Sequence, residues 1–358
     1  MISIMSTRDN LFRPLFRFGT YPQNINGKSI PIEWIVVAHE VDSIRRYVTT
    51  DENLARTRPN QYALAQKEYT RGRVLLLSSL ILDCFWYDTK DRFDASRSGD
   101  TDTPYPGFRG ILDSKYGGND YINYYDDNKD LCRKVWKESD MFKFLNNKVH
   151  NRHNAFENNQ GFLYNAFSES ERNALHDSDE GKVFLLSVEE AKMAFEAKAS
   201  AKWGYYDKIV DHKGGDSWGL NQKNGDSWGL NQKSGDSWGY NQKALAWGTD
   251  FAKSTDKQIG GVDFRLHFRD NGTGDQYTWK SLDKSWNTYP ANSETGYYNF
   301  KDQSINDTVN GCSWYYLRSP GASCGFAAVV RSNGDIDAGG NLVHVCTGGV
   351  RPAIWLNL

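Results

Sequence analysis

The chain has 358 residues, 25% of them charged and 14% aromatic, which is enough large side chains for a buried core and too many for a disordered segment. Forty-three basic against 45 acidic side chains leave a net charge of −2, which offers no field for a phosphate backbone and argues against nucleic acid as a partner. No run of 18 apolar residues occurs, so no transmembrane segment is expected. Met1 to Asn10 lacks the basic start and apolar stretch of a signal peptide. Phe16 to Gln23 and Pro31 to Val37 are rich in alternating β-branched and aromatic residues, which predicts two strands around a turn at Asn24 to Lys28. Residues 39–72 carry scattered charges and read as an insertion with some helix. Arg73 to Leu82 is a third strand candidate, and Gly99 to Asp130, rich in Gly, Asp, Tyr and Pro, reads as an irregular surface loop.

Two helix starts are signalled by capping boxes, Ser168-Glu-Ser-Glu171 and Ser187-Val-Glu-Glu190. The second predicts a helix to about Lys198 with Val188, Ala191, Ala194 and Phe195 on one face, preceded by a short buried strand at Val183 to Leu186. A decapeptide repeat follows: Gly215-Asp-Ser-Trp-Gly-Leu-Asn-Gln-Lys223 recurs from Gly225 and from Gly235, with Tyr240 in place of the leucine. Three ten-residue units are too few to stack into a solenoid, so residues 205–244 read as a repeat insertion in a loop. A stacking surface for a sugar or peptide on Trp218, Trp228 and Trp238 is the sharper alternative. From Phe264 onward the chain is Gly-, Asn- and Trp-rich, which suggests many short strands.

Candidate chemistry is sparse. His150, His153 and Glu157 would share a helix face, yet asparagines surround them and no fourth ligand is signalled, so a solvated helix end is the plainer reading and no metal is assigned. No nucleophile elbow, phosphate loop, zinc-protease helix or dinucleotide fingerprint is present, and no cofactor is implied. The five cysteines, Cys84, Cys132, Cys312, Cys324 and Cys346, form neither a zinc knuckle nor an obvious disulfide framework.

The last fifty residues carry a different signal. From Tyr315 to Ile354 there is no Met, Trp, Lys, Gln or Glu, although these five types make up 62 of the 358 residues, about 17%. A blank of forty positions then has a chance probability on the order of a thousandth. Codons ending in C or T cannot encode any of the five. Randomising the first two bases of an Asn codon gives the other fifteen amino acids, so the blank has a genetic mechanism.

The Phe-Gly-Thr-Tyr-Pro-Gln23 and Ile-Glu-Trp-Ile-Val36 opening, Phe184-Leu-Leu-Ser187 with its helix, Leu317-Arg-Ser-Pro-Gly321 and the Gly349-Val-Arg-Pro-Ala-Ile-Trp-Leu356 ending occur in this order. Together they resemble the bacterial C-type-lectin-fold domains of the formylglycine-generating-enzyme-like branch, and within it the variable proteins of diversity-generating retroelements. The resemblance implies an α+β fold, a C-type lectin fold with short strands, peripheral helices and loop insertions, formed as one domain over residues 1–358. It implies a non-enzymatic receptor or adhesin, exported as a lipoprotein to the cell surface, that binds a protein or other macromolecular ligand. Residues 311–358 would be the variable segment, rewritten by mutagenic reverse transcription. The fixed frame maps onto Leu317, Arg318, Ser319, Pro320, Val330, Gly334, Ile336, Val343, Gly349, Val350, Arg351 and Pro352.

Setting Val330, Ile336 and Val343 inward makes their strand neighbours point outward. The expected ligand-binding face is therefore Tyr315, Ala322, Ser323, Cys324, Phe326, Val329, Arg331, Asp335, Asp337, Ala338, Asn341, Leu342, His344, Val345 and Cys346. Two other functions use the same fold. A calcium lectin would need a triplet such as Trp-Asn-Asp, which Trp286-Asn-Thr288 breaks, and a cysteine oxidase would need a close cysteine pair, whereas Cys312, Cys324 and Cys346 are 12 and 22 apart.

Overall fold

The computed structural model describes residues 3–6, 12–24, 27–65, 69–88, 128–148, 160–196 and 313–358 except 322–324, 332–333 and 346–347, with short pieces between 199 and 278. The chain is mixed α+β. Its opening forms β1 (Ser3–Ser6), β2 (Phe12–Pro22) and β3 (Ser29–Val41), an antiparallel run in which Phe16 faces Trp34 and Tyr21 faces Ile30. The two expected strands are thus present, longer than their alternating cores. Beyond β3, residues 39–72 add strand as well as helix: β4 (Ile44–Thr49) turns back on β3, α1 (Glu52–Thr57) follows, and β5 (Tyr62–Leu64) lies parallel to β4. Arg45 and Arg46 hide this strand from a hydropathy reading. Asp51 caps α1 by accepting the amides of Asn53 and Leu54, at 2.9 and 3.0 Å.

Strand β6 (Arg73–Ser78) is an unbroken apolar run, the pattern of a strand covered on both sides. It lies between β3 and the C-terminal β18 (Ala353–Asn357), so that Leu76 sits between Val36 and Ile354. β8 (Val183–Phe184) completes an eight-stranded sheet in the order β1-β2-β3-β6-β18-β8, with β4 attached to β3 and β5 to β4. The second sheet has six strands in the order β7 (Asp83–Cys84), β17 (Gly349–Val350), β14 (Tyr315–Pro320), β15 (Phe326–Val330), β16 (Ile336–Leu342) and β9 (Ala199–Ser200). Two isolated pairs, β10 (Gln258–Ile259) with β11 (Val262–Asp263) and β12 (His267–Phe268) with β13 (Tyr277–Thr278), stand apart.

Both sheets feed one hydrophobic cluster, and the Tyr21 hydroxyl on β2 donates to Asp83 on β7 at 2.6 Å, tying one sheet to the other. Both expected capping boxes form, at α5 (Glu169–Ala174) and α6 (Val188–Phe195). Helix α6 buries Val188, Ala191, Ala194 and Phe195, and ends three residues earlier than expected because Glu196 takes a left-handed conformation with φ 53°. Three helices carry no such sequence signal: α2 (Lys129–Glu138), α3 (Asp140–Asn146) and α4 (Phe162–Ala166). Ser139 caps α3 with its side chain on the Phe142 amide, but position N3 holds Phe142 instead of Glu or Gln, so no capping box marks the start. A last short helix, α7 (Asp250–Lys253), follows. Among the described residues, no helix is long and apolar enough to cross a membrane.

Candidate functional site

The site is built from β14 outward. Arg318, on β14, is the best-held cation of the second sheet. Its guanidinium donates to the Leu185 carbonyl at 2.7 Å and pairs with Glu190, and its Nε lies 3.3 Å from Glu180. Burial alone would raise the Glu190 carboxyl. The Arg318 charge and hydrogen bond, the Ser187 amide and Arg45 outweigh it and hold the acid below its ordinary range. Ser319, next along, accepts the Val188 amide at 3.0 Å. The Leu-Arg-Ser-Pro motif and the capped helix α6 are thus two halves of one joint, and the ion pairs continue through Arg45 and Glu40 to Arg73.

Arg351 does the same work behind β14. It is buried, donates to the carbonyls of Ser78 and Ala244 at 2.9 and 3.3 Å, and lies 3.0 Å from the Tyr315 hydroxyl, which itself donates to Ala244. Tyr315 is therefore part of the frame and not of an outward face. The same correction applies to Val329, Ala338 and Asp337, all buried. On β15, Ala327, Ala328, Val329 and Val330 are all buried, so the strand is covered on both sides and the period-2 argument fails there. The unbroken apolar run Phe326-Ala-Ala-Val-Val330 was the available signal for two-sided burial.

Asp337 is buried because it is fully used. One carboxyl oxygen accepts the amides of Gly339 and Gly340 at 2.8 and 3.2 Å, while the other takes the Arg331 Nε at 3.0 Å. Gly340 has φ +79°, and a Cβ there would stand 2.0 Å from the Ala327 carbonyl oxygen, so only glycine fits beside the β15 bulge. At the turn between β15 and β16, Gly334 also has a positive φ, 86°, which accounts for a glycine in the frame.

The remaining described candidates are partly exposed, and they divide between the two ends of the β15–β16 ladder. Arg331 and Asp335 sit at the connecting turn, where the Arg331 amide donates to the Asp335 carbonyl at 2.8 Å. Phe326, Asn341, Leu342, His344 and Val345 gather at the other end, where Phe326 pairs with Leu342 and Ala327 with Asn341. Five residue steps from Phe326 to Arg331, at about 3.4 Å each, separate the ends by about 17 Å. The expected single face is thus two lips with a buried span between them.

The second lip rests on the frame. The Tyr316 hydroxyl lies 2.6 Å from the Leu342 carbonyl oxygen and 3.2 Å from that of Val345. The amides of Tyr87 and Asp88 both donate to the Val343 carbonyl, at 2.7 and 3.0 Å, and the Val343 amide donates to Gly325 at 2.8 Å. The Tyr87 ring centre lies 5.8 Å from that of Tyr316 and 6.1 Å from that of Trp136 on α2. No family model, curated protein or solved structure matches the chain.

Ala322, Ser323, Cys324 and Cys346 lie outside the described residues, as do Cys312, the His150, His153 and Glu157 set and the decapeptide repeats. Among the described residues no group of three His, Cys, Asp or Glu side chains could hold a metal ion. Burial pushes the Cys132 thiol up to about 12, so it supplies no thiolate near neutral pH, and the buried Cys84 thiol donates to the Ala252 carbonyl at 3.6 Å.

Proposed function

We propose that the chain is a ligand-binding receptor of C-type lectin fold, of the diversity-generating retroelement kind, acting at the cell surface without catalysis. In this reading the side chains at the open end of the β15–β16 ladder choose a protein or other macromolecular ligand. One observation carries it. The forty-residue stretch that lacks the five types beyond a randomised Asn codon runs from the first residue of β14 into β18, and its partly exposed candidates gather at the ladder's two ends. A rigid sheet with changeable side chains at its rim suits variable recognition, as in antibody loops. The fold assignment rests on the ordered motifs, and β18 shares a sheet with the N-terminal strands but pairs with β6 and β8 and not with β3.

Within this proposal Tyr315, Val329, Asp337 and Ala338 move from the variable set to the frame. Phe326, Asn341, Leu342, His344 and Val345 stay as the main ligand positions, with Arg331 and Asp335 as a lesser second lip. Sequencing the coding locus from many cells tests the reading. Differences should fall at first and second codon positions of the rim residues and spare Tyr315, Ile336 and Arg351. Differences scattered evenly along the chain, or none in residues 311–358, would sink it.

A further inference from the structure

We infer that Tyr316 is a positioning residue: together with the Tyr87 and Asp88 amides it holds the 342–345 turn through main-chain carbonyls alone, so the rim side chains can change while the backbone stays. The inference gives the receptor reading a physical basis and rests on it for purpose, though its geometry stands by itself. Tyr316 is fully buried, and a phenylalanine of the same shape would fill the same space. A buried hydroxyl needs a partner, and here its one proton goes chiefly to the Leu342 carbonyl at 2.6 Å, with the Val345 carbonyl at 3.2 Å sharing it weakly. With Val343 held by residues 87 and 88, three carbonyls of the turn are tied to groups outside it.

Every residue type carries that carbonyl, so none of these bonds depends on which side chain stands at the rim. Two turn amides, Val343 to Gly325 at 2.8 Å and Val345 to Leu342 at 3.3 Å, bond to main-chain carbonyls and are lost only with proline, while the Leu342 amide takes the Asn341 side-chain oxygen at 2.8 Å. Val343 is the one member of the turn whose side chain is buried, and it is also the one placed in the frame. The side chains of 342, 344 and 345 are partly exposed, with Leu342 and Val345 also touching the core, while the carbonyls of Leu342, Val343 and Val345 turn to groups outside the turn.

Amide hydrogen exchange on the purified full-length chain tests this. In Tyr316→Phe, exchange across residues 342–348 should rise at least about fivefold, since the Leu342 carbonyl loses its buried donor and the Val345 carbonyl its weaker share of it. Tyr87→Phe serves as the reference. It deletes a similar buried hydroxyl bond, to the Arg318 carbonyl at 2.7 Å, without touching the turn's carbonyls, and should leave 342–348 protected. A rise in Tyr316→Phe that is equal throughout the chain, or absent at 342–348, overturns the assignment. In a second arm, the combined Asn341→Asp, His344→Tyr and Val345→Thr variant should keep the Tyr87 and Asp88 amides within about twofold of their original exchange. A larger rise there shows that rim side chains do hold the turn, and overturns it. Neither arm uses a ligand, so an invariant locus would remove the receptor reading while leaving both readouts interpretable.

Discussion

In β14 the side chains do the holding, whereas in the 342–345 turn the main chain does. Arg318 and Ser319 reach into α6 and its entry segment through a guanidinium that no other residue type supplies and a hydroxyl that only threonine could replace. The turn is fixed instead through carbonyls that every residue type supplies. The two regions belong to one sheet and one codon-biased stretch. Their difference shows that tolerance to change depends less on exposure than on which atoms carry the bonds. Asp337 makes the same point from the other side, because its carboxylate carries four bonds and leaves that position no freedom.

The contrast can be broken most forcefully at the joint. Glu190→Ala leaves the buried Arg318 with Glu180 as its one remaining acid and should cost about 3–5 kcal/mol in denaturant unfolding. A loss below 1 kcal/mol would show the joint to be dispensable. Ile336→Ala, a cavity under β16, should cost about 2–5 kcal/mol by the same measurement. Asp337→Ala should cost about 1–3 kcal/mol, because two buried amides lose their acceptor. If it costs nothing, Asp337 belongs back among the variable positions.

A smaller effect comes from pH. Burial and the Arg73 charge hold the His176 imidazole below its ordinary value of 6.5, so it stays neutral and faces an Arg73 N–H with Nε2. The unfolded chain takes up a proton near 6.5 that the folded chain refuses. Stability is therefore full above that pH and falls as pH drops toward the folded value. Burial raises the Glu40 and Glu190 carboxyls, but their arginine partners hold them below 4.5, adding a second loss as pH falls below 4.5. His176→Gln should flatten the first decline and leave the second, as read from unfolding midpoints between pH 7 and 4.

Much of this was legible in the sequence. The α+β class, the first two strands and both capping boxes follow from alternation and from Ser-x-x-Glu spacing. The rim was only half legible. Alternation assigns outward positions correctly when one face of a sheet meets solvent, and β15 and β16 are covered on both. Tyr315 and Asp337 look displayable as residue types, and only their bonds to Arg351, Ala244, Gly339 and Gly340 show otherwise. Helices α2 to α4 went unread because they begin without a complete capping box. The strand pair in residues 39–72 is masked by Arg45, whose charge is met by Glu40 and Glu190, and by Arg46, which donates to the Pro59 carbonyl.

The central claim is that the ladder's ends are free and its span is fixed. A saturation scan of residues 315–354 read by folded abundance, all twenty amino acids at each position, tests this most directly. The account predicts broad tolerance at Phe326, Asn341, Leu342, His344 and Val345, most substitutions there staying within about 0.5 kcal/mol. It predicts intolerance at Tyr315, Tyr316, Val329, Ile336, Asp337, Ala338 and Arg351. Equal tolerance in the two sets, or a rim as intolerant as the span, would contradict it.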